Sequence, residues 1–89
     1  MTASTKPPER LDRAALILVV EDNPITRKSV RIALGVEGYR VAEAADGAAA
    51  LKLTQAEPPD LVLLDLLLPD IRGAELVPQL RALPGGSEI

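Results

Sequence analysis

Apolar residues occur in three short runs along the chain, and a polar or acidic segment follows each run. The first run covers residues 16–20 and the third covers residues 61–64, with no polar residue inside either. Uninterrupted apolar runs of this length are typical of strands that are covered on both faces in a parallel sheet. Residues 39–44 alternate more between apolar and polar types, which predicts a strand nearer the edge of the sheet.

A helix is predicted after each strand, and the first has clear signals at both ends. Asp22 or Asn23 can cap its amino end, and Pro24 has the backbone angle that suits a first helical turn. Gly38 suits the left-handed stop that ends many helices. These signals predict a helix over residues 24–37, with Val30, Ala33 and Leu34 on the apolar face.

Two further helices are predicted, and the last contains an interior proline. The second covers residues 48–56 and ends before a Pro-Pro pair. The third carries a stripe of leucines at helical spacing and ends at the Pro-Gly-Gly of residues 84–86. Pro78 would remove one backbone hydrogen bond and press against the carbonyl of Ala74. The sequence leaves two outcomes open: the helix begins late, near Glu75, or it bends.

Three strand–helix units in succession predict an α/β domain with a doubly wound parallel sheet and helices on both faces. This domain is expected to cover residues 15–89, and the polar residues 1–14 are expected to form a flexible leader. The leader has no apolar stretch long enough for a secretory signal, and no run reaches the length of a membrane helix. The chain is therefore expected to be soluble and cytoplasmic.

Composition excludes most enzyme classes for these 89 residues. The chain has no Cys and no His, so thiolate nucleophiles, triads of the usual kind and ordinary zinc sites are excluded. The chain has a net charge of −3, and its sequence contains no basic patch. Both features argue against direct binding of nucleic acid by this segment. The remaining strong chemistry lies in 13 Asp and Glu residues, whose oxygens suit Mg²⁺ or Ca²⁺.

Three of these acids follow the ends of predicted strands. Glu21 and Asp22 come directly after the first strand, and Asp65 comes directly after the third. If the two strands are neighbours, the three carboxylates meet at the carboxyl edge of the sheet, where ligands bind in doubly wound folds. Their mutual repulsion would raise carboxylate pKa values unless a cation such as Mg²⁺ joined them.

Taken singly, these acids also have simple structural explanations. Asp22 can be a helix cap, and Glu21 a solvated strand end. Asp46, Asp60 and Asp70 are expected to be turn, cap or loop residues. Joint placement at two strand ends is what favours a functional site for Glu21, Asp22 and Asp65.

The chain resembles the receiver domain of two-component response regulators, the CheY-like family with a flavodoxin-like fold. The likeness rests on Glu21-Asp22-Asn23 after the first strand and on Asp46-Gly47 before the second helix. Its strongest element is the segment from Asp60 to Gly73, which contains Asp65 and reproduces the family's spacing of aspartate, proline and glycine. The motifs that carry the resemblance extend over about residues 15–89.

The resemblance implies a role for each acid. Asp65 would be the phosphoacceptor, taking a phosphoryl group from a phosphohistidine. Asp22 would bind Mg²⁺ directly, Glu21 would bind it directly or through water, and Leu67 would contribute its backbone carbonyl. The partner would be a histidine kinase or a phosphotransfer protein. Since these 89 residues contain no His, the phosphodonor would lie on another protein or another segment. Such a domain accepts a phosphoryl group and is not a turnover enzyme.

The family's domain has five strand–helix units, and this sequence contains three. The resemblance implies a strand order of 2-1-3, with the third strand at an edge. It also implies a switch Ser or Thr after a fourth strand and a Lys after a fifth, and no residue here can be assigned to either role. An exposed third strand would pair with other chains, so the 89-residue chain is expected to self-associate or to fold poorly.

Two other functions are weighed against phosphoacceptance. The chain could be a receiver-like interaction or dimerisation module that does not switch; the retained acids argue against this, and the missing units favour it. A nucleotide-binding Rossmann fragment is disfavoured, because the loop after the first strand is Glu-Asp-Asn-Pro and lacks the required glycines.

Overall fold

The protein is described by a computed structural model that covers residues 14–89. Three strands form one parallel sheet: β1 (Leu16–Val20), β2 (Arg40–Ala44) and β3 (Leu61–Leu64). Their order is β2-β1-β3, as predicted. The predicted leader lies, apart from Ala14, outside the described residues.

β1 is the centre of the sheet and is buried along its whole length. It pairs with β2 from Leu16↔Arg40 to Val20↔Ala44 and with β3 from Ile17↔Leu61 to Val20↔Leu64. The chain steps from β1 to one side and then returns past it to the other. Because such crossovers are right-handed, the helix that follows β1 and the helix that follows β2 are placed on opposite faces of the sheet.

The first helix, α1 (Pro24–Val36), begins and ends at the residues that the sequence singles out. Asn23 is its cap, and its side-chain oxygen accepts hydrogen bonds from the N–H groups of Ile25 and Thr26. The helix ends one residue earlier than predicted. Gly38 follows in the left-handed region, with φ of 91°, which allows the chain to turn into β2.

The second helix, α2 (Gly47–Ala56), packs with α3 (Gly73–Ala82) over one face of the sheet. The apolar cluster between them is aliphatic, in keeping with a chain that has neither Phe nor Trp. Its buried members are Leu18, Val20, Ala44, Ala50, Leu76 and Leu80.

α3 begins at Gly73 and contains Pro78, so the late start near Glu75 that the sequence left open does not occur. Leu76 and Leu80 of the predicted stripe are buried, whereas Leu83 is the residue that caps the helix end. Gly85 turns the chain with φ of 79°, and a short 3₁₀ turn covers Gly86–Glu88.

β3 differs from a fully covered strand, because all four of its residues are only half-buried. Within residues 14–89 it pairs with β1 alone, and an open groove of about 790 Å³ runs along it, lined in part by Val30 and Val77. None of the helices in the described range is both long and apolar enough to cross a membrane.

Candidate functional site

The sheet itself places the acidic residues. The backbone N–H of Glu21 donates to the carbonyl of Ala44 at 3.0 Å, and that of Asp65 donates to the carbonyl of Val20 at 2.9 Å. Both residues therefore extend the hydrogen-bond ladder by one step beyond the strand ends. Since β1 and β3 are neighbours, their acids emerge side by side at the carboxyl edge.

The three predicted carboxylates are gathered into one cluster. Glu21, Asp22 and Asp65 each offer an oxygen, and these oxygens all lie within 4.8 Å of one another. Glu21 and Asp65 are half-buried, and Asp22 is exposed. We call these three residues the acidic cluster.

Electrostatics separates the two half-buried acids. The N–H of Leu67 donates to Asp65 Oδ1 at 3.0 Å, and this bond is the main reason why the pKa of the Asp65 carboxyl lies below its ordinary value. The pKa of the Glu21 carboxyl is raised, chiefly because it shares a hydrogen bond with Asp65 and secondly because of burial. Asp65 is therefore the more readily ionised of the two, and the close approach of the carboxyl groups raises the pKa of Glu21 and not that of Asp65.

Positive side chains lie near the acidic cluster but are engaged elsewhere. Arg27 Nη1 donates to the backbone carbonyl of Glu21 at 2.9 Å, and its Nε lies 3.5 Å from Glu43. Within the described part of the chain, the arginine ion pairs are made with Glu43 and Glu57 and not with the cluster. The charge of the cluster is thus left for a cation to balance.

The donor set fits a hard divalent cation. It consists of carboxylate oxygens alone, without the nitrogen or sulfur ligands that favour zinc or copper. Carboxylates whose oxygens lie within 4.8 Å of one another repel when they are ionised, and such a cation relieves that repulsion. The acidic cluster therefore offers the donor atoms that a hard divalent cation such as Mg²⁺ requires.

Leu67 lies in the loop directly after the cluster. Its side chain is 82% exposed, and its backbone forms an isolated antiparallel bridge with Arg72. The exposed side chain agrees with the expectation that only the backbone of this residue is used. Ligation of a metal by its carbonyl remains a prediction.

Three residues have contacts that the sequence did not suggest. Arg27 fixes the backbone of Glu21, as described above. Asp60 accepts a hydrogen bond from the N–H of Leu16 at 2.7 Å, and Asp70 binds the start of α2. Each acid does lie in a loop, but its partner is more than twenty residues away, so spacing along the chain carried no signal of the contact.

Comparison with known proteins gives one consistent family. The family model for the response regulator receiver domain matches residues 17–89. The transcriptional regulatory protein KdpE of Mycobacterium tuberculosis is 46% identical over 66 residues, which are 74% of this chain and 29% of that protein. The chain thus spans less than a third of the length of this curated relative.

Solved structures agree with the sequence match. The N-terminal domain of a response regulator receiver protein from Methanoculleus marisnigri superimposes with a TM-score of 0.78 at 35% identity, covering 84% of this chain and 61% of that one. The receiver domain of a sensor histidine kinase from Pseudomonas aeruginosa gives 0.77 at 34% identity, covering 83% and 61%. That structure has a magnesium ion coordinated in its active site cleft. Together with the fold and the acidic cluster, these matches establish that the chain belongs to the response regulator receiver domain family.

Proposed function

We propose that this chain is a phosphoacceptor of a two-component phosphorelay, in which Asp65 receives a phosphoryl group in the presence of Mg²⁺. The observation that carries the proposal is the acidic cluster, whose three carboxylates come from the ends of neighbouring strands. A cluster of this kind brings a nucleophile and a cation to the same place. In this role the chain is a signalling component and not a turnover enzyme.

The environment of Asp65 supports its role as the nucleophile. The hydrogen bond from Leu67 and the lowered pKa keep its carboxylate ionised at neutral pH, and the side chain is partly open to solvent. Asp65 therefore offers the free electron pair that phosphoryl transfer requires.

The proposed transfer exchanges one bond for another. A carboxylate oxygen of Asp65 forms a bond to phosphorus, and the bond from phosphorus to the imidazole nitrogen of a phosphohistidine breaks. The imidazole keeps the electron pair of the broken bond and takes up a proton from solvent. Because residues 1–89 contain no His, the donor lies outside them, and we propose a histidine kinase or a phosphotransfer protein.

Glu21, Asp22 and Asp65 would hold the metal, with the backbone carbonyl of Leu67 as a further ligand. A bound Mg²⁺ supplies positive charge that offsets repulsion between an incoming phosphoryl group and the carboxylates. The donor chemistry of the cluster supports this assignment. The magnesium in the related Pseudomonas receiver domain supports it independently.

The test is incubation with acetyl phosphate, with and without Mg²⁺, followed by measurement of the intact mass. We expect the mass of one phosphoryl group to be added to the wild-type chain only when Mg²⁺ is present. Asp65→Asn should abolish the adduct, because its amide is not a nucleophile of comparable strength.

The matched control is Asp60→Asn, at the opposite end of the same strand. The amide oxygen of the new side chain would still accept the hydrogen bond from Leu16, so this variant should form the adduct as the wild type does. A wild-type chain that is folded but gains no mass would contradict the proposal and favour the non-switching interaction module. An adduct that persists in Asp65→Asn would show that another residue accepts the group.

A further inference from the structure

The loop between β3 and α3 is tied to the start of α2 by hydrogen bonds to the side chain of Asp70. Its Oδ1 accepts a hydrogen bond from the N–H of Gly47 at 2.9 Å, and its Oδ2 accepts one from the N–H of Ala48 at 3.0 Å. Both oxygens of one carboxylate thus bind the first two N–H groups of a helix that begins 23 residues earlier in the chain. These N–H groups have no partner inside the helix and carry its positive end.

This contact is separate from the ordinary cap of the helix. Asp46 is the cap residue, and its Oδ1 accepts from the N–H of Ala49 at 2.8 Å. Local capping is therefore already provided by a neighbouring residue. Asp70 adds a bond between two distant parts of the chain. Comparing variants of Asp46 and Asp70 therefore separates the effect of this bond from that of helix capping.

The backbone of Gly47 lies very close to the side chain of Ile71, beside the Asp70 contact. Gly47 is buried, and a Cβ atom placed on it would collide with Cγ2 of Ile71, the residue after Asp70. Ile71 in turn packs against the core cluster of the α2 and α3 layer. The position of the loop is thus fixed both by the carboxylate and by close packing beside it.

The same loop carries the residues that the proposed function uses. It begins at Asp65, whose carboxylate binds the N–H of Leu67, and it closes where the N–H of Gly73 donates to the carbonyl of Leu66 at 3.2 Å. The bridge between Leu67 and Arg72 holds the two arms of the loop together. Asp70 lies between those arms, so the contact that fixes Asp70 also fixes the backbone at Leu67.

We propose that Asp70 is a positioning residue, which holds the loop so that the backbone of Leu67 and the carboxylate of Asp65 face the cation site. The expected effect on metal affinity rests on the proposed function, whereas the hydrogen bonds that tether the loop do not depend on it. The lowered pKa of the Asp70 carboxyl, caused chiefly by the bond from Gly47, agrees with a carboxylate that stays ionised and bound at neutral pH.

The test compares Asp70→Ala with Asp46→Ala in the 89-residue chain. Both variants remove a carboxylate from the amino end of α2, but only the first releases the loop. Hydrogen exchange of the Gly73 N–H, followed by NMR without metal, reports the loop directly. We expect faster exchange in Asp70→Ala than in the wild type and no change in Asp46→Ala.

Binding of Mg²⁺ alone, followed by calorimetric titration, measures the consequence for the site. Loss of groups that orient metal ligands without touching the metal commonly weakens affinity by about 10-fold or more. We expect a loss of roughly 10-fold for Asp70→Ala and unchanged affinity for Asp46→Ala. Asp70→Asn retains one carbonyl acceptor, so its affinity should fall between those of the wild type and Asp70→Ala.

The outcomes separate the tether from the proposed function. Equal exchange at Gly73 in Asp70→Ala and wild type would overturn the inference, whatever the metal does. Equal Mg²⁺ affinity in these two proteins would overturn it as well. A third outcome is faster exchange in Asp70→Ala than in the wild type, together with no Mg²⁺ binding by the wild type. This result would contradict the proposed function. It would also overturn the positioning role and leave Asp70 as a structural tether only.

Discussion

At the scale of single residues, the site depends on backbone hydrogen bonds that orient carboxylates. Asp65 is held by Leu67, Glu21 is held by the ladder to Ala44, and Asp70 is held by the first turn of α2. The bonds at Asp65 and Asp70 are charge-assisted and restrict the carboxylates themselves, whereas the bond at Glu21 extends the sheet and restricts the backbone that carries the side chain. Substitutions that add or remove a few atoms at these contacts are expected to change the stability of the protein or the geometry of the site.

Gly47→Ala tests the close approach between α2 and the loop. The added methyl group would collide with the side chain of Ile71, so the loop must move or Ile71 must repack. We expect destabilisation of about 1–3 kcal/mol, the usual cost of overpacking. Urea unfolding followed by circular dichroism measures it.

Gly35→Ala is the matched control for that change. Gly35 lies in α1, and a Cβ atom there would meet nothing within 4 Å. Replacing a helical glycine that has open space around it should stabilise the protein by about 0.5–1 kcal/mol. Equal effects of the two substitutions would contradict the close approach at Gly47.

Whether the role of a residue could be predicted from the sequence depended on whether a local pattern signals its contacts. Glu21, Asp22 and Asp65 could be predicted to meet, because strand ends in a doubly wound sheet converge on one edge. The role of Asp70 could not, because an aspartate after a proline has the same local pattern whether it turns a loop or binds a distant helix. Arg27 was likewise placed only by its position on a helix, which says nothing of the carbonyl it binds.

At the scale of elements, the apolar runs determined the strands and the capping residues determined the helices. Asn23 and Gly38 lie at the two ends of α1, almost where the sequence predicted, because capping residues act through local hydrogen bonds. The start of α3 was left open, since Pro78 allowed two outcomes. The helix begins at Gly73 in spite of the proline, and Leu76 and Leu80 are both buried within it.

Pro78→Ala tests whether α3 runs through the proline. Pro78 is exposed, so the substitution removes little packing and restores an N–H that can donate to the carbonyl of Ala74. We expect a gain of about 1–3 kcal/mol in the free energy of unfolding, measured by urea unfolding.

Gln79→Ala, the exposed neighbour, is the control and should change stability by less than about 0.5 kcal/mol. A loss of stability in Pro78→Ala would show that the proline supports a break in the helix. That result would contradict the continuous α3.

At the scale of the whole molecule, the sheet has one well-covered strand and two edges. β1 is buried on both faces, whereas β3 is half-buried and borders the open groove. Within residues 14–89, the side of β3 that faces away from β1 has no paired strand, so its backbone and apolar side chains form a surface on which another strand can pair. Self-association of the 89-residue chain is therefore still expected, by edge pairing or by exchange of elements.

Sedimentation equilibrium of the purified 89-residue chain tests this expectation. Species larger than the monomer should be present, and Leu63→Lys should reduce them by placing a charge on β3. Leu53→Lys, on the exposed side of α2, is the control and should leave association unchanged. A monodisperse monomer that melts cooperatively would contradict the prediction.

The central claim is that Asp65 carries the phosphoryl group, and chemical trapping tests it most directly. Treatment of the phosphorylated chain with borohydride reduces an acyl phosphate to an alcohol, so a modified aspartate becomes homoserine. Peptide sequencing by mass spectrometry then locates the change. We predict homoserine at position 65 alone, and only after incubation with Mg²⁺. Homoserine at any other aspartate, or none in a chain that has gained the phosphoryl mass, would contradict the account.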